Sequence, residues 1–397
     1  MDRHNLRTLF RDTLRWFLLY FVAPIIRLLP RNEQTWVFGS GHGKQFSDNS
    51  KYLFLHSVQN YNEIDCIWVS RDKNIRNALR ERGYTSYSPR SLRGVAAIAR
   101  AEYIFLSYGK YDVSPWLSVG ATIIQLWHGN ALKKIIYDDR KIERTDKFTR
   151  FKHDYDILNV TSEGEPEKIM SRSFGMHKNN IIHCGYPRND VLYNNPDDVD
   201  IGLDTNYYNK ILDIDEPLIG YIPTWRGDEF PEELSPFHEG NFSFKEMDEF
   251  LVHKDAYLII KPHPKSSLPQ QALNSERIIV LPKEFDIYPI LNELDILITD
   301  YSSIYFDYLH VDNPVIFYPY DLDTYTSKRG LYYQYGNVTP GPISTSFDSL
   351  LRKISDTMGG KDEFSSERHQ LRNRFYSHTD GGSSHRVTQE VLDLNTD

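Results

Sequence analysis

Two histidines stand where an imidazole can do proton chemistry. His128 follows the apolar run Thr122 to Trp127 and precedes Gly129, Asn130, Lys133 and Lys134. A histidine at the carboxyl end of a strand, with glycine behind it, projects into a crevice instead of the core. Its ordinary pKa of about 6.5 suits a proton acceptor. His263 lies in Lys261-Pro262-His263-Pro264 after the run Tyr257 to Lys261, and the two prolines restrain the backbone on both sides. A restrained imidazole beside Lys261 suits contact with a phosphate or a leaving group. The residues alone do not choose which histidine is the base.

Hydroxyls and cations complete the set. Asp300-Tyr301-Ser302-Ser303 follows the run Ile296 to Thr299 and precedes a helix predicted over Ile304 to His310. Free N–H groups at a helix start favour an anion, and Ser302 and Ser303 add donors. The same pattern also makes an ordinary N-cap. Arg226 closes Pro223-Thr224-Trp225-Arg226 after the run Leu218 to Ile222, and its planar fork suits phosphate oxygens. Arg329, before Gly330, and Arg188, in the Gly185 to Asp190 stretch near the junction of the two halves, are further candidate cations. There is no GxxxxGK[ST], CxxC or HExxH motif, and the GSGHG of Gly39 to Gly43 lacks dinucleotide spacing. No tight carboxylate cluster suggests a divalent metal. The equipment fits a diphosphate-bearing donor handled with no metal and no cofactor.

The elements that must hold these residues read as two consecutive sets of buried strands. Thr35 to Ser40, Asp65 to Ser70, Glu102 to Ser107, Thr122 to Trp127, Ile157 to Thr161 and Ile181 to Cys184 form the first. Leu218 to Ile222, Tyr257 to Lys261, Ile278 to Leu281, Ile296 to Thr299 and Val315 to Tyr318 form the second. Helix-length spacers between them match βα units of parallel sheets. The expected fold is α/β, with two Rossmann-like domains over 32–205 and 206–397. The polar stretch Asn194 to Glu216 reads as their connection, and Ser384 to Leu394 as a terminal helix. In such sheets ligands bind outside the carboxyl ends of the strands, where the residues above fall.

The 397 residues suffice for two cores, and 46 Lys and Arg against 55 Asp and Glu give a net charge of −9. That balance excludes a general nucleic-acid binder. Two cysteines, Cys66 and Cys184, cannot build a disulfide framework and fit a reducing compartment. Residues 1–31 break the pattern, with six arginines against two aspartates. Arg3, Arg7, Arg11 and Arg15 recur every four residues and precede an apolar run from Trp16 to Ile26. The run is too short to span a bilayer as a helix, which takes about 20 residues. It reads as an amphipathic helix on an anionic membrane surface, arginines at the headgroups and Trp16, Phe17, Tyr20 and Phe21 below them.

In order along the chain, WHG with its lysines (127–134), GYPRND (185–190), PTWR (223–226), KPHP (261–264), TDYSS (299–303), the region 320–333 and TDGGSSHR (379–386) resemble one family. It is that of the CDP-glycerol glycerophosphotransferases of teichoic acid and capsule synthesis. The resemblance implies a GT-B arrangement and transfer of glycerol phosphate, or another polyol phosphate, from a CDP-linked donor to a hydroxyl of a lipid-linked saccharide acceptor, with release of CMP. It implies that His128 deprotonates the acceptor and that His263 neutralises or protonates the donor phosphates. Ser302, Ser303, Arg226 and Arg329 would hold the diphosphate, and Asp300 would orient their loop or contact the donor. Gly129, Lys133, Arg188 and Lys261 are further crevice candidates. The implied location is the cytoplasmic face of the membrane, peripherally attached. A GT-B glycosyltransferase using a nucleotide-sugar would release a nucleoside diphosphate instead, and a silent membrane-associated scaffold would release nothing.

Overall fold

A computed structural model describes residues 13, 16–139, 142, 147–193, 205–227, 230–238, 240–263, 265, 266 and 268–394. The arginines Arg3, Arg7, Arg11 and Arg15 of the N-terminal reading, and Pro264 of the KPHP stretch, lie outside the described residues.

The strands are β1 (Asn32–Gly39), β2 (Asp65–Val69), β3 (Ser86–Tyr87), β4 (Ala101–Leu106), β5 (Thr122–Gln125), β6 (Ile157–Asn159) and β7 (Ile181–Ile182), then β8 (Leu218–Tyr221), β9 (Tyr257–Ile260), β10 (Ile278–Val280), β11 (Ile296–Thr299) and β12 (Val315–Phe317). They form two sheets, ordered β3-β2-β1-β4-β5-β6-β7 and β10-β9-β8-β11-β12. All pairings within both sheets are parallel. Every predicted strand is present; β11 ends where expected and the others end one or two residues earlier. The short edge strand β3, two residues long, carries no apolar run and was not expected.

Both faces of each sheet are covered, so the strands carry continuous buried apolar runs instead of alternating with polar residues. In β1 and β4 the side-chain period of two sorts residues by size. Trp36, Phe38, Tyr103 and Phe105 fill one core layer, while Val37 and Ile104 fill the other. Register places Phe38 beside Phe105, whose rings stack at 4.7 Å. Much of the aromatic content is therefore core. Tyr301, Tyr305, Tyr308, Tyr318 and Tyr325 of the second half are also buried.

The two halves interlock. Tyr52, Leu132, Val191 and Leu192 of the first half share one core cluster with the second sheet. Lys51 ion-pairs with Asp286 at 2.7 Å. The expected connection contains a helix, Thr205–Leu212, whose Tyr208 and Ile211 are buried, because aromatic and aliphatic residues interrupt its polar tract. The terminal helix Ser383–Asp393 follows the second sheet in the chain but packs Val387 and Val391 into the core of the first. Asp190 fastens its start by accepting from the backbone N–H groups of Ser383 and Ser384 at 2.9 and 2.7 Å. GYPRND and TDGGSSHR, far apart in sequence, thus meet.

At the N-terminus a π-helical turn, Leu18–Val22, runs into the helix Ala23–Arg27. Ala23 and Ile26 are buried, whereas Phe21 (63%), Ile25 (64%) and Leu28 (85%) are exposed together with Trp16, Phe17 and Tyr20. Arg31 ties the end of this segment to the first half through the carbonyls of Ala99 and Val119. No helix among the described residues is long and apolar enough to cross a membrane.

Candidate active site

The carboxyl ends of β5, β8, β9 and β11 converge on a cavity of about 550 Å³ between the halves. Six of the expected residues line it: His128, Lys133, Lys261, His263, Ser302 and Arg329. The other five, Gly129, Arg188, Arg226, Asp300 and Ser303, do not.

His128 owes its position to a strained loop. Trp127 adopts φ 59°, unusual for a bulky residue, and Gly129 adopts φ 135°. A side chain on Gly129 would place its Cβ 2.7 Å from Ser303 Oγ, so only glycine admits this close approach of the halves. His128 Nδ1 lies 3.0 Å from the Ser107 carbonyl oxygen. A carbonyl only accepts, so Nδ1 carries the proton and Nε2 keeps the lone pair. Tyr108 stacks on the ring at 4.4 Å and Trp127 packs against it at 3.9 Å. Burial lowers the His128 pKa. Asp48 and the Ser107 carbonyl oppose that shift, while Arg188 and Lys133 reinforce it. The outcome is a neutral imidazole ready to accept a proton.

Asp112 builds the wall behind this ring. Fully buried, it accepts from the backbone N–H groups of His42, Ser107, Tyr108 and Gly109 at 2.7–3.2 Å. Burial still pushes its pKa up to about 7 against those bonds. Nothing in its sequence neighbourhood, KYD after a glycine, marked it out.

Elsewhere in the cavity, burial brings Lys133 and Lys261 down to about 8. Lys133 has Asp300 nearby as a counter-charge and Arg329 as a like one. Lys261 Nζ donates to the Lys283 carbonyl at 2.6 Å. The segment carrying Lys133 crosses between the halves: Lys133 bridges Leu331, and Tyr332 N–H donates to the Leu132 carbonyl at 3.0 Å. The sequence stretches 127–134 and 320–333 are therefore neighbours. His263 stacks on Trp225 at 5.3 Å, and its Nδ1 accepts from Lys265 N–H at 3.2 Å. Burial and the lysines 133, 261, 265 and 283 bring its pKa down to about 4. His263 is therefore neutral in the open cavity. Trp225, Thr224 and Tyr325 also line the cavity.

Arg226 corrects an expectation. It is 3% exposed and spends its donors on protein: Nε and Nη2 on Asp321 at 2.7 and 3.0 Å, Nη1 on Asp300 at 2.7 Å and on the Thr224 carbonyl at 2.6 Å. Burial works against its charge, but Asp300 and Asp321 hold its pKa above the ordinary arginine value. Asp300 also accepts from the backbone N–H groups of Thr224 and Tyr301. This pair fixes the loops after β8 and β11 from beneath the cavity, and four of the five guanidinium N–H groups go to protein acceptors. The predicted helix is shorter than expected, Ile304–Tyr308, with Ser303 at its N-cap and Ser302 facing the cavity. Among the described residues no three His, Cys, Asp or Glu side chains gather as a metal would require.

The chain is similar to known proteins. The chain is 28% identical over 407 residues to a teichoic acid glycerol-phosphate transferase of Staphylococcus aureus, covering 96% of this chain and 99% of that one. It is 29% identical over 350 residues to a teichoic acid poly(glycerol phosphate) polymerase of Bacillus subtilis, covering 82% of this chain but 44% of the longer relative. The solved structure of the wall teichoic acid polymerase TagF superimposes with a TM-score of 0.74 at 23% identity, over 99% of this chain and 98% of that one. At that identity the superposition speaks for the fold, which is GT-B-like. The model of one family covers residues 21–393, and the chain belongs to that family, the CDP-glycerol:poly(glycerophosphate) glycerophosphotransferases.

Proposed function

We propose that the chain transfers glycerol phosphate, or a related polyol phosphate, from a CDP-linked donor to a hydroxyl of a lipid-linked saccharide acceptor. The single observation that carries this reading is the cavity between the halves, in which a neutral His128 and Lys133 of the first half meet Lys261, Arg329 and Ser302 of the second. His128 Nε2 takes the proton of the acceptor hydroxyl. That oxygen attacks the phosphorus bearing the glycerol, a new P–O bond forms, and the bond to the bridging oxygen breaks. CMP leaves with the electron pair. The cations spread the charge that develops on the two phosphates, and His263 adds its own once the donor has raised its pKa. A positioned base contributes about 10² to 10⁴ in rate.

The exposed face of Trp16, Phe17, Tyr20, Phe21, Ile25 and Leu28 supports peripheral attachment to an anionic membrane surface, at its cytoplasmic face. That arrangement brings the enzyme to an acceptor embedded in lipid. The test is a donor panel: CDP-glycerol, CDP-ribitol and nucleotide-sugars, each with a lipid-linked disaccharide. CMP release from a CDP-polyol supports the reading. A nucleoside diphosphate from a nucleotide-sugar, or no turnover with any donor, would refute it.

A further inference from the structure

Beneath the cavity, two buried carboxylates from opposite halves meet on one guanidinium. Asp48 opens the helix Asp48–Asn60 of the first half with φ 67°. Asp307 lies in the helix Ile304–Tyr308 of the second half. Arg188 Nη1 donates to Asp48 Oδ1 at 2.7 Å and Nη2 donates to Asp307 Oδ2. Arg188 is 3% exposed and Asp307 is fully buried. Asp307 is saturated, accepting also from Asn189 Nδ2, Tyr376 OH and Tyr288 OH at 3.0, 2.9 and 2.8 Å.

From this triad two paths lead to His128. Asn49 Oδ1 accepts from the Arg188 backbone N–H at 3.1 Å, and Asn49 Nδ2 donates to the Trp127 carbonyl at 2.8 Å. Asp48 lies near enough to the phenol of Tyr108 to help raise its pKa, and that ring stacks on the imidazole at 4.4 Å. Arg188 also touches the loop directly, since a Cβ on Gly129 would come within 2.9 Å of its Nη2. The strained backbone at Asp48 and Trp127 marks both ends of this chain of contacts. A buried ion triad stabilises no better than apolar residues of the same volume, so its return has to be sought in geometry.

We propose that Asp48, Arg188 and Asp307 form a positioning device across the two halves, which sets the ring of His128 against the Ser302–Ser303 loop without touching the donor. The device rests on His128 being the base. The groups that face this imidazole are Asp48, Arg188, Lys133, the Ser107 carbonyl and Tyr108. Asp48 favours the imidazolium, whereas Arg188 and Lys133 oppose it.

The test measures kcat, donor KM, the pH profile of kcat/KM and the melting temperature of the full chain, with CDP-glycerol and a lipid-linked disaccharide. Arg188→Lys keeps the charge but loses the two-pronged geometry. It should lose about 10²-fold in kcat, as for a reacting group displaced by an ångström, at unchanged donor KM. Asp48→Asn should move the acid limb of kcat/KM to lower pH, and Arg188→Gln should move it to higher pH. A triad that only stabilises the fold would shift the melting temperature and leave the limbs where they are. Wild-type kcat in Arg188→Lys, or an acid limb that stays put in Asp48→Asn, overturns the proposal even where Arg188→Gln does not fold. Wild-type kcat in His128→Ala would instead overturn the assignment of the base, so the two failures are distinguishable.

Discussion

Arg226 forks onto Asp321, Nε 2.7 Å from one carboxylate oxygen and Nη2 3.0 Å from the other, with its remaining nitrogen on Asp300. An arginine so occupied shapes the site without grasping a ligand. Arg226→Ala leaves two buried carboxylates without their partner, which costs about 3 to 5 kcal/mol. The urea midpoint should fall accordingly, and turnover should fall with the folded fraction. A wild-type midpoint combined with a raised donor KM would return Arg226 to the ligand.

Lys133 and Lys261 give the free enzyme an alkaline limit. Burial brings both down to about 8, so they are charged below that pH and lose their charge as pH rises through it. Attraction for the donor diphosphate fades in the same direction, and kcat/KM should decline above about pH 8. Lys133→Met and Lys261→Met should each raise the donor KM about tenfold, the worth of one charge-assisted hydrogen bond. A profile that stays level well above pH 8 in the wild type contradicts these roles.

His263 predicts a proton taken up with the donor. Its pKa is down to about 4 in the open cavity. An opposite charge within hydrogen-bonding reach lifts a pKa by about 1 to 3, so the imidazole becomes protonated as the diphosphate arrives. Binding should therefore tighten as pH falls from about 6 towards 5, and titration calorimetry in buffers of different ionisation enthalpy should register the uptake. The uptake should vanish in His263→Asn. Equal heats in all buffers for the wild type would show that His263 stays neutral.

The exposed N-terminal face makes a physical prediction independent of chemistry. Replacing Phe21 and Ile25, which are 63% and 64% exposed, by glutamate removes apolar area from the lipid-facing side and adds repulsion from anionic headgroups. Co-sedimentation with vesicles containing phosphatidylglycerol should drop, as it should when residues 1–29 are deleted, while turnover of a soluble acceptor analogue persists. Undiminished binding would assign attachment to another surface.

The strands and the crevice were legible because apolar runs bounded by polar residues signal parallel strands, and strand ends locate the site. His128, Lys133, Lys261, His263, Ser302 and Arg329 lie where that logic put them. Arg226 reads as a cavity residue because sequence gives the end of a strand but not the two carboxylates that its side chain meets there. Asp48 and Asp112 were invisible for a related reason. Each works through backbone groups or partners that are distant in sequence, and an isolated aspartate carries no pattern. The return of the terminal helix to the first sheet was equally hidden, since an amphipathic pattern states which face is buried but not against what.

The most direct measurement is CMP release from CDP-glycerol in the presence of a lipid-linked disaccharide by the wild type and by His128→Ala, with melting temperatures recorded for both. The account predicts release by the wild type and a loss of about 10²-fold or more in the variant at an unchanged melting temperature. Wild-type rates in a folded His128→Ala would contradict it.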